Sequence, residues 1–417
     1  MYPADRSNGF QAFRSVPKTG VIYVMSEARK LGFYYGNPEW ANLGQGAPET
    51  GAIPGGPARL KEVPLPPSTL EYGTVAGIDD LRAAVADLYN ARYRRGMPTQ
   101  YNAENVAISP GGRPGLTRLA AALDHLNLGH FIPDYTAYEE LLDLFRELVP
   151  IPILLKEEQG FKPQADLLRK EIVGMGLGAV LLSNPCNPTG QVIYGEPLQQ
   201  WVSAVRELDS MLIIDEFYAH YFYAEGEGSI SAAAYVEDVN ADPVVVMDGL
   251  TKNWRYPGLR LSWTVAPKEI IENIASAGSF LDGGAPHAIQ RTAIPLLDPE
   301  HAAQEAQAIQ SHFAAKRTEV LATLEELGLV LQAKPEGGFY AFVSLENMPE
   351  PLNNGYHFFK EALKHKVICV PGEFFDVNPG KRRSHIPSRL KSFVRISYGP
   401  CMEEVRRGLE GLRNMLA

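Results

Sequence analysis

Val244-Val-Val-Met-Asp248-Gly-Leu-Thr-Lys252-Asn-Trp-Arg-Tyr-Pro257-Gly-Leu-Arg260 joins an apolar run to an amine, a turn and a guanidinium. The four residues before Asp248 have the length and the β-branched character of a fully buried strand. A lysine forms an imine with a carbonyl once its pKa is depressed. An arginine grips a phosphate through two parallel hydrogen bonds. Lys252 and Arg260 therefore suit a ligand that carries both an aldehyde and a phosphate. An isolated lysine is by default a solvated surface group, but the strand before Lys252 and the arginine after it argue otherwise.

The pattern repeats on either side. Ala179-Val-Leu-Leu182 runs into Ser183-Asn-Pro-Cys-Asn187-Pro-Thr-Gly190, and Met211-Leu-Ile-Ile214 runs into Asp215-Glu-Phe-Tyr218. Asn105-Val-Ala-Ile-Ser109 precedes Gly111-Gly-Arg113-Pro114. A helix is predicted next, with Leu116, Leu119, Leu123 and Leu126 on one face and Pro114 at its first position, where a missing N–H costs nothing. Amphipathic helices are predicted from Ile78 and over 197–208. Such alternation implies an α/β fold with a mostly parallel sheet covered on both faces, a three-layer domain. Ligands of such sheets sit at the carboxyl ends of the strands. Asn187, Asp215 and Lys252 all follow apolar runs and so fall on one rim. The C-terminal third differs. A helix over 300–327, strands at 338–343 and 392–397, and a last helix over 401–416 read as a smaller α+β domain.

The chain has 417 residues, 45% hydrophobic and 21% charged, as expected of a globular protein of more than one domain. A net charge of −10 argues against a nucleic-acid binder. Cys186, Cys369 and Cys401 are odd in number and far apart, which fits a reducing compartment better than a disulfide scaffold. With no apolar leader after Met1 and no run of 18 apolar residues, the expected location is the cytoplasm. The histidines form no HExxH pair, and no G-x-S-x-G elbow is present.

Taken in order, the blocks around Asn187, Asp215 and Lys252, with Phe393-Val-Arg395-Ile-Ser-Tyr-Gly399 downstream, resemble the fold-type I, pyridoxal-phosphate-dependent class I/II aminotransferases. The resemblance covers about residues 20–415. It implies a large cofactor-binding domain over 58–310 and a small domain built from 1–57 and 311–417. It implies that Lys252 is the Schiff-base lysine and the base at Cα, and that Asp215 partners the pyridine nitrogen of pyridoxal 5′-phosphate. Alone, Asp215 reads equally well as a strand-end turn cap. Tyr218 and Asn187 would bond the phenolic oxygen of the cofactor, and Tyr135 would stack on its ring. The backbone amides of Gly112 and Arg113, with Arg260, would hold the phosphate. Tyr72 would reach the phosphate of a neighbouring subunit, making a homodimer the active unit. Arg395 would take the substrate α-carboxylate in a two-pronged ion pair, with Gly46 lying against the same group.

Three departures stand out. Pro114 has no N–H to offer the phosphate. Gly249 occupies the place of a phosphate-binding serine, with Thr251 as its possible replacement. Residues 278–288 lack the arginine with which dicarboxylate-specific relatives bind a distal carboxylate. The expected reaction moves an amino group between an L-amino acid and a 2-oxo acid by a ping-pong mechanism. A β-lyase on the same scaffold shares every one of these residues. A third reading is an effector-binding regulator built on this scaffold. It is set aside because the resemblance starts near residue 20, which is expected to leave no room for a DNA-binding domain.

Overall fold

The structure is a computed structural model that describes residues 16, 18, 20–224 and 228–417. At its centre is a seven-stranded sheet. Its strands are β1 (Val106–Ser109), β2 (Leu126–Ile132), β3 (Leu148–Leu154), β4 (Leu177–Ser183), β5 (Met211–Asp215), β6 (Val244–Gly249) and β7 (Ser262–Val265). The order across the sheet is β1-β7-β6-β5-β4-β2-β3. Every pairing is parallel except those of β7, which runs antiparallel to both β1 and β6.

All six residues of β6 are buried, as are all four of β1 and of β7. Side chains alternate between the two faces of a strand, so burial at every position means that both faces are covered. The α/β class and the layered sheet expected from the sequence are what the chain adopts.

Three strands escaped the sequence pattern. β3 carries Pro150 and Pro152, which demote an apolar run, yet it lies at the sheet edge where a missing N–H breaks no ladder. β2 is interrupted by Gly129 and His130, and β7 has only four residues. The helix after β1 is shorter than predicted. It spans Gly112–Ala122, so Leu126 belongs to β2, and Pro114 is its third residue rather than its first.

The C-terminal part forms a second, antiparallel sheet in the order Val370–Pro371, Phe393–Ser397, Tyr340–Ser344, Val330–Leu331. The apolar stretch 367–371 forms two separate strands. Val367–Ile368 leaves this sheet to pair in parallel with Ala41–Asn42. The 28-residue helix Pro299–Glu326 precedes this sheet. No helix among the described residues is long and apolar enough to cross a membrane.

Candidate active site

The parallel strands end on one rim. Gly111 follows β1, Asp134 and Tyr135 follow β2, Asn187 follows β4, Asp215 closes β5 and Lys252 follows β6. Arg260 joins them because β7 is antiparallel. It precedes the first residue of that strand, and Ser262 pairs with both Ser109 and Gly249 at the carboxyl ends of β1 and β6.

Lys252 is fixed by the turn that carries it. Asn253 Nδ2 donates to Asp248 Oδ1 at 2.8 Å and to the Glu216 carbonyl at 2.9 Å, while Tyr221 donates its hydroxyl to the Lys252 carbonyl at 3.0 Å. The Lys252 amine donates to the carbonyl of Gly46. Burial, reinforced by the cations Arg260, Arg395 and Arg113, lowers its pKa from 10.5 to about 7. A neutral amine is thus present in quantity near neutral pH, as a nucleophile or a proton carrier requires. In the apoprotein, reductive alkylation of Lys252 by a small aldehyde should rise through a midpoint near pH 7, whereas a solvated lysine gains reactivity only towards 10.5. Arg260→Gln should raise the midpoint by removing a cation. Mass-spectrometric mapping that found Lys252 titrating in step with surface lysines would refute this.

Asp215 is buried. Its carboxylate accepts from the Tyr138 hydroxyl at 3.0 Å and from the Phe217 amide at 3.3 Å. Burial pushes its pKa up to about 6, against those two donors and the charge of Lys252, so it is an anion at neutral pH. Tyr218 is buried with its hydroxyl 2.7 Å from that of Tyr340. Tyr135 is half-buried and accepts from Arg113 Nε at 3.3 Å and Nη2 at 3.2 Å. The side chain of Arg113 therefore turns towards the site, where the sequence reading had used only its amide.

Gly111 has φ +109°, and a Cβ there would lie 2.2 Å from Arg260 Nη2. Only glycine lets the guanidinium settle over this loop. Gly249 tolerates no side chain either, because a Cβ would stand 2.6 Å from the Leu261 carbonyl oxygen and from Ser262 Cα.

Arg395 is 1% exposed. It donates from Nη1 to Asn187 Oδ1 at 2.8 Å and from Nη2 to the Gly44 carbonyl at 2.5 Å, while its Nε has no partner among the described residues. Its guanidinium lies 4.3 Å from the Tyr340 ring centre and 5.0 Å from that of Phe375. No carboxylate among the described residues pairs with Arg395 or with Arg260. A buried cation without a counter-ion is costly unless a ligand supplies the anion.

Asn187, Tyr218, Lys252, Arg395 and Gly46 are thus linked by contacts, in part through Tyr340, while Asp215 and Arg260 act on the Lys252 amine electrostatically. Tyr72 is not among them. It stands fully exposed on its own chain. Sequence reasoning missed Tyr138, Tyr340, Asp134 and Ser183. The Asp134 carboxylate accepts from the Ser183 hydroxyl at 2.5 Å, and the Ser183 oxygen accepts from the Asn187 amide at 3.1 Å, tying the Tyr135 loop to the Asn187 loop. Within 278–288, Asp282 binds both Arg118 Nε, at 2.8 Å, and Nη2, and Arg291 beyond it pairs with Asp80.

The sequence model of "Aminotransferase class I and II" matches residues 38–412. An aspartate aminotransferase of Sulfurisphaera tokodaii is 24% identical over 387 residues, 90% of this chain and 89% of that protein. An aspartate/prephenate aminotransferase of Thermus thermophilus is 26% identical, over 83% of each chain. The solved aspartate aminotransferase of Thermus thermophilus with maleate superposes with a TM-score of 0.77 at 22% identity, covering 97% of this chain and 100% of that one. An aminotransferase from Mycobacterium tuberculosis gives 0.79 at 23% identity, covering 96% and 97%. The two structures share the fold, and the family match over nearly the whole chain assigns the protein to the class I and II aminotransferases.

Proposed function

We propose that the protein moves an amino group between an L-amino acid and a 2-oxo acid with pyridoxal 5′-phosphate as cofactor. The observation that carries this reading is the buried, acid-free Arg395 on the same cleft as a lysine whose amine is neutral near pH 7. The residues fit the cofactor. The Gly111 loop under Arg260 offers a cation and a side-chain-free cradle for a phosphate, and Asp215 offers a buried anion for a ring nitrogen.

Pyridoxal phosphate supplies, when bound, an aldehyde that exchanges amines and a ring that accepts electrons from the bond broken at Cα. The chain does the rest. Arg395 and Asn187 orient the substrate carboxylate. Lys252 would hold the cofactor through its amine, and once the substrate's amine has displaced it, the freed amine would carry the proton taken from Cα. Asp215 holds the ring nitrogen protonated. Tyr218 and Asn187 donate to the phenolic oxygen, and Tyr135 covers the ring. Gly112 and Arg113 add amides at the phosphate, and Gly46 lies along the substrate. The second half-reaction runs the same proton transfers in reverse on an acceptor oxo acid. Borohydride reduction of the holoenzyme should fix the cofactor on Lys252, and turnover of an amino donor should require an oxo acid. A label on another lysine overturns the site. Elimination without an acceptor overturns the transfer reaction in favour of a lyase. Aspartate and glutamate head the donor screen because relatives carry the name aspartate aminotransferase.

We include in the proposal a cytoplasmic homodimer in which Tyr72 reaches the partner's phosphate site. Its full exposure on the single chain supports this. We also keep the division into 58–310 and a small domain of 1–57 with 311–417, supported by the pairing of Ala41–Asn42 with Val367–Ile368. Mixing Lys252→Ala chains with Tyr72→Phe chains should restore activity. In a hybrid, one site collects both defects and the other neither. Subunit exchange without recovery would count against the shared site.

A further inference from the structure

We propose that Tyr340 is a positioning residue that sets the direction in which Tyr218 donates its hydroxyl proton. The inference rests on the cofactor reading above, in which Tyr218 donates to the ligand's phenolic oxygen. A phenol carries one proton and two lone pairs. The Tyr218 and Tyr340 oxygens are 2.7 Å apart and share one hydrogen bond. If Tyr218 donates to Tyr340, it has nothing left to offer a ligand. If Tyr340 donates to Tyr218, the Tyr218 proton is free and made more acidic by the bond it receives.

The choice arises because both protons are held, and two further observations favour the second arrangement. Both tyrosines are buried, which raises the hydroxyl of Tyr218 well above its ordinary pKa and that of Tyr340 to about 12, so both protons are present at neutral pH. The Arg395 guanidinium sits 4.3 Å from the Tyr340 ring centre, and a cation over a phenol makes it the better donor. The Tyr340 hydroxyl is also hemmed in, since a Cβ on Gly46 would come within 2.5 Å of its oxygen. Tyr218 is its one hydrogen-bond partner among the described residues. The charged and titratable groups facing the pair are Arg395, Asp215, Tyr135, Tyr221 and Tyr398, with Lys252 bonded to the Gly46 carbonyl nearby. All of them are retained in the variants below, so they form a constant background.

The test is the pH midpoint of the holoenzyme's visible absorption, with cofactor content confirming that each variant is folded and loaded. Tyr218→Phe should raise the midpoint, because a donor to the phenolate is lost. Tyr340→Phe keeps the ring under Arg395 and removes only the hydroxyl. It should raise the midpoint by roughly half a unit to one unit, the size expected for one weakened hydrogen bond. The double variant should match Tyr218→Phe alone, because Tyr340 acts through Tyr218. An unshifted midpoint in Tyr340→Phe, or additive shifts in the double variant, would overturn the proposal and leave the cofactor reading standing. An unshifted Tyr218→Phe would remove Tyr218 from the cofactor and overturn both.

Discussion

Lys252→Ala is expected to lower kcat by roughly 10⁴-fold or more, the upper end of what a single general acid–base group contributes. On the function proposed above the same amine would also anchor the cofactor, so one substitution removes both roles. Lys252→Arg should be nearly as inactive, although it keeps the charge and most of the length. A guanidinium stays protonated at any working pH, whereas the lysine's usefulness lies in a pKa brought down to about 7 by burial and by Arg260, Arg395 and Arg113. Single-turnover measurement on each variant loaded with cofactor separates loss of chemistry from loss of binding. Either variant retaining a hundredth of the native rate would remove Lys252 from the proton transfers.

Arg395→Lys should cost about 2–5 kcal/mol of transition-state binding, which corresponds to roughly 30-fold to several-thousand-fold in kcat/KM. The side chain is buried, its two Nη donors are oriented by Asn187 and Gly44, and its guanidinium lies over the rings of Tyr340 and Phe375. An ammonium keeps the charge but cannot reproduce the fork or the stacking. The amino donor and the acceptor oxo acid both present an α-carboxylate, so KM should rise for both. Cofactor content should not change, because Arg260 lies at the other end of the cleft's chemistry, over the Gly111 loop. A variant that lost cofactor while its remaining holoenzyme kept a normal KM would show that the two arginines have been exchanged.

Much of this site could be read without coordinates because parallel sheets bring sequence-distant residues to one rim by a local rule. Each apolar run ends and the next polar residue stands at the carboxyl edge. That rule needs only the run and the residue after it, and it places Asn187, Asp215 and Lys252. The same local logic failed at β3, where Pro150 and Pro152 hid a strand whose tolerance for proline comes from its position at the sheet edge. It also failed at the helix after β1, where leucine spacing ran on past Ala122 into the next strand.

The sequence by itself determined the alternation of strands and helices and the standing of Asn187, Asp215 and Lys252 just after apolar runs, since these follow from periodicity and residue type within short windows. The tertiary structure alone decided the antiparallel course of β7 that brings Arg260 to the rim, the partners of Arg395, and the Tyr138 hydroxyl on Asp215. It alone set Tyr340 beside Tyr218, 122 positions away in the chain. Those facts depend on which elements become neighbours. The burial that lowers the Lys252 pKa and strands the Arg395 charge exists only once the two sheets have closed around them.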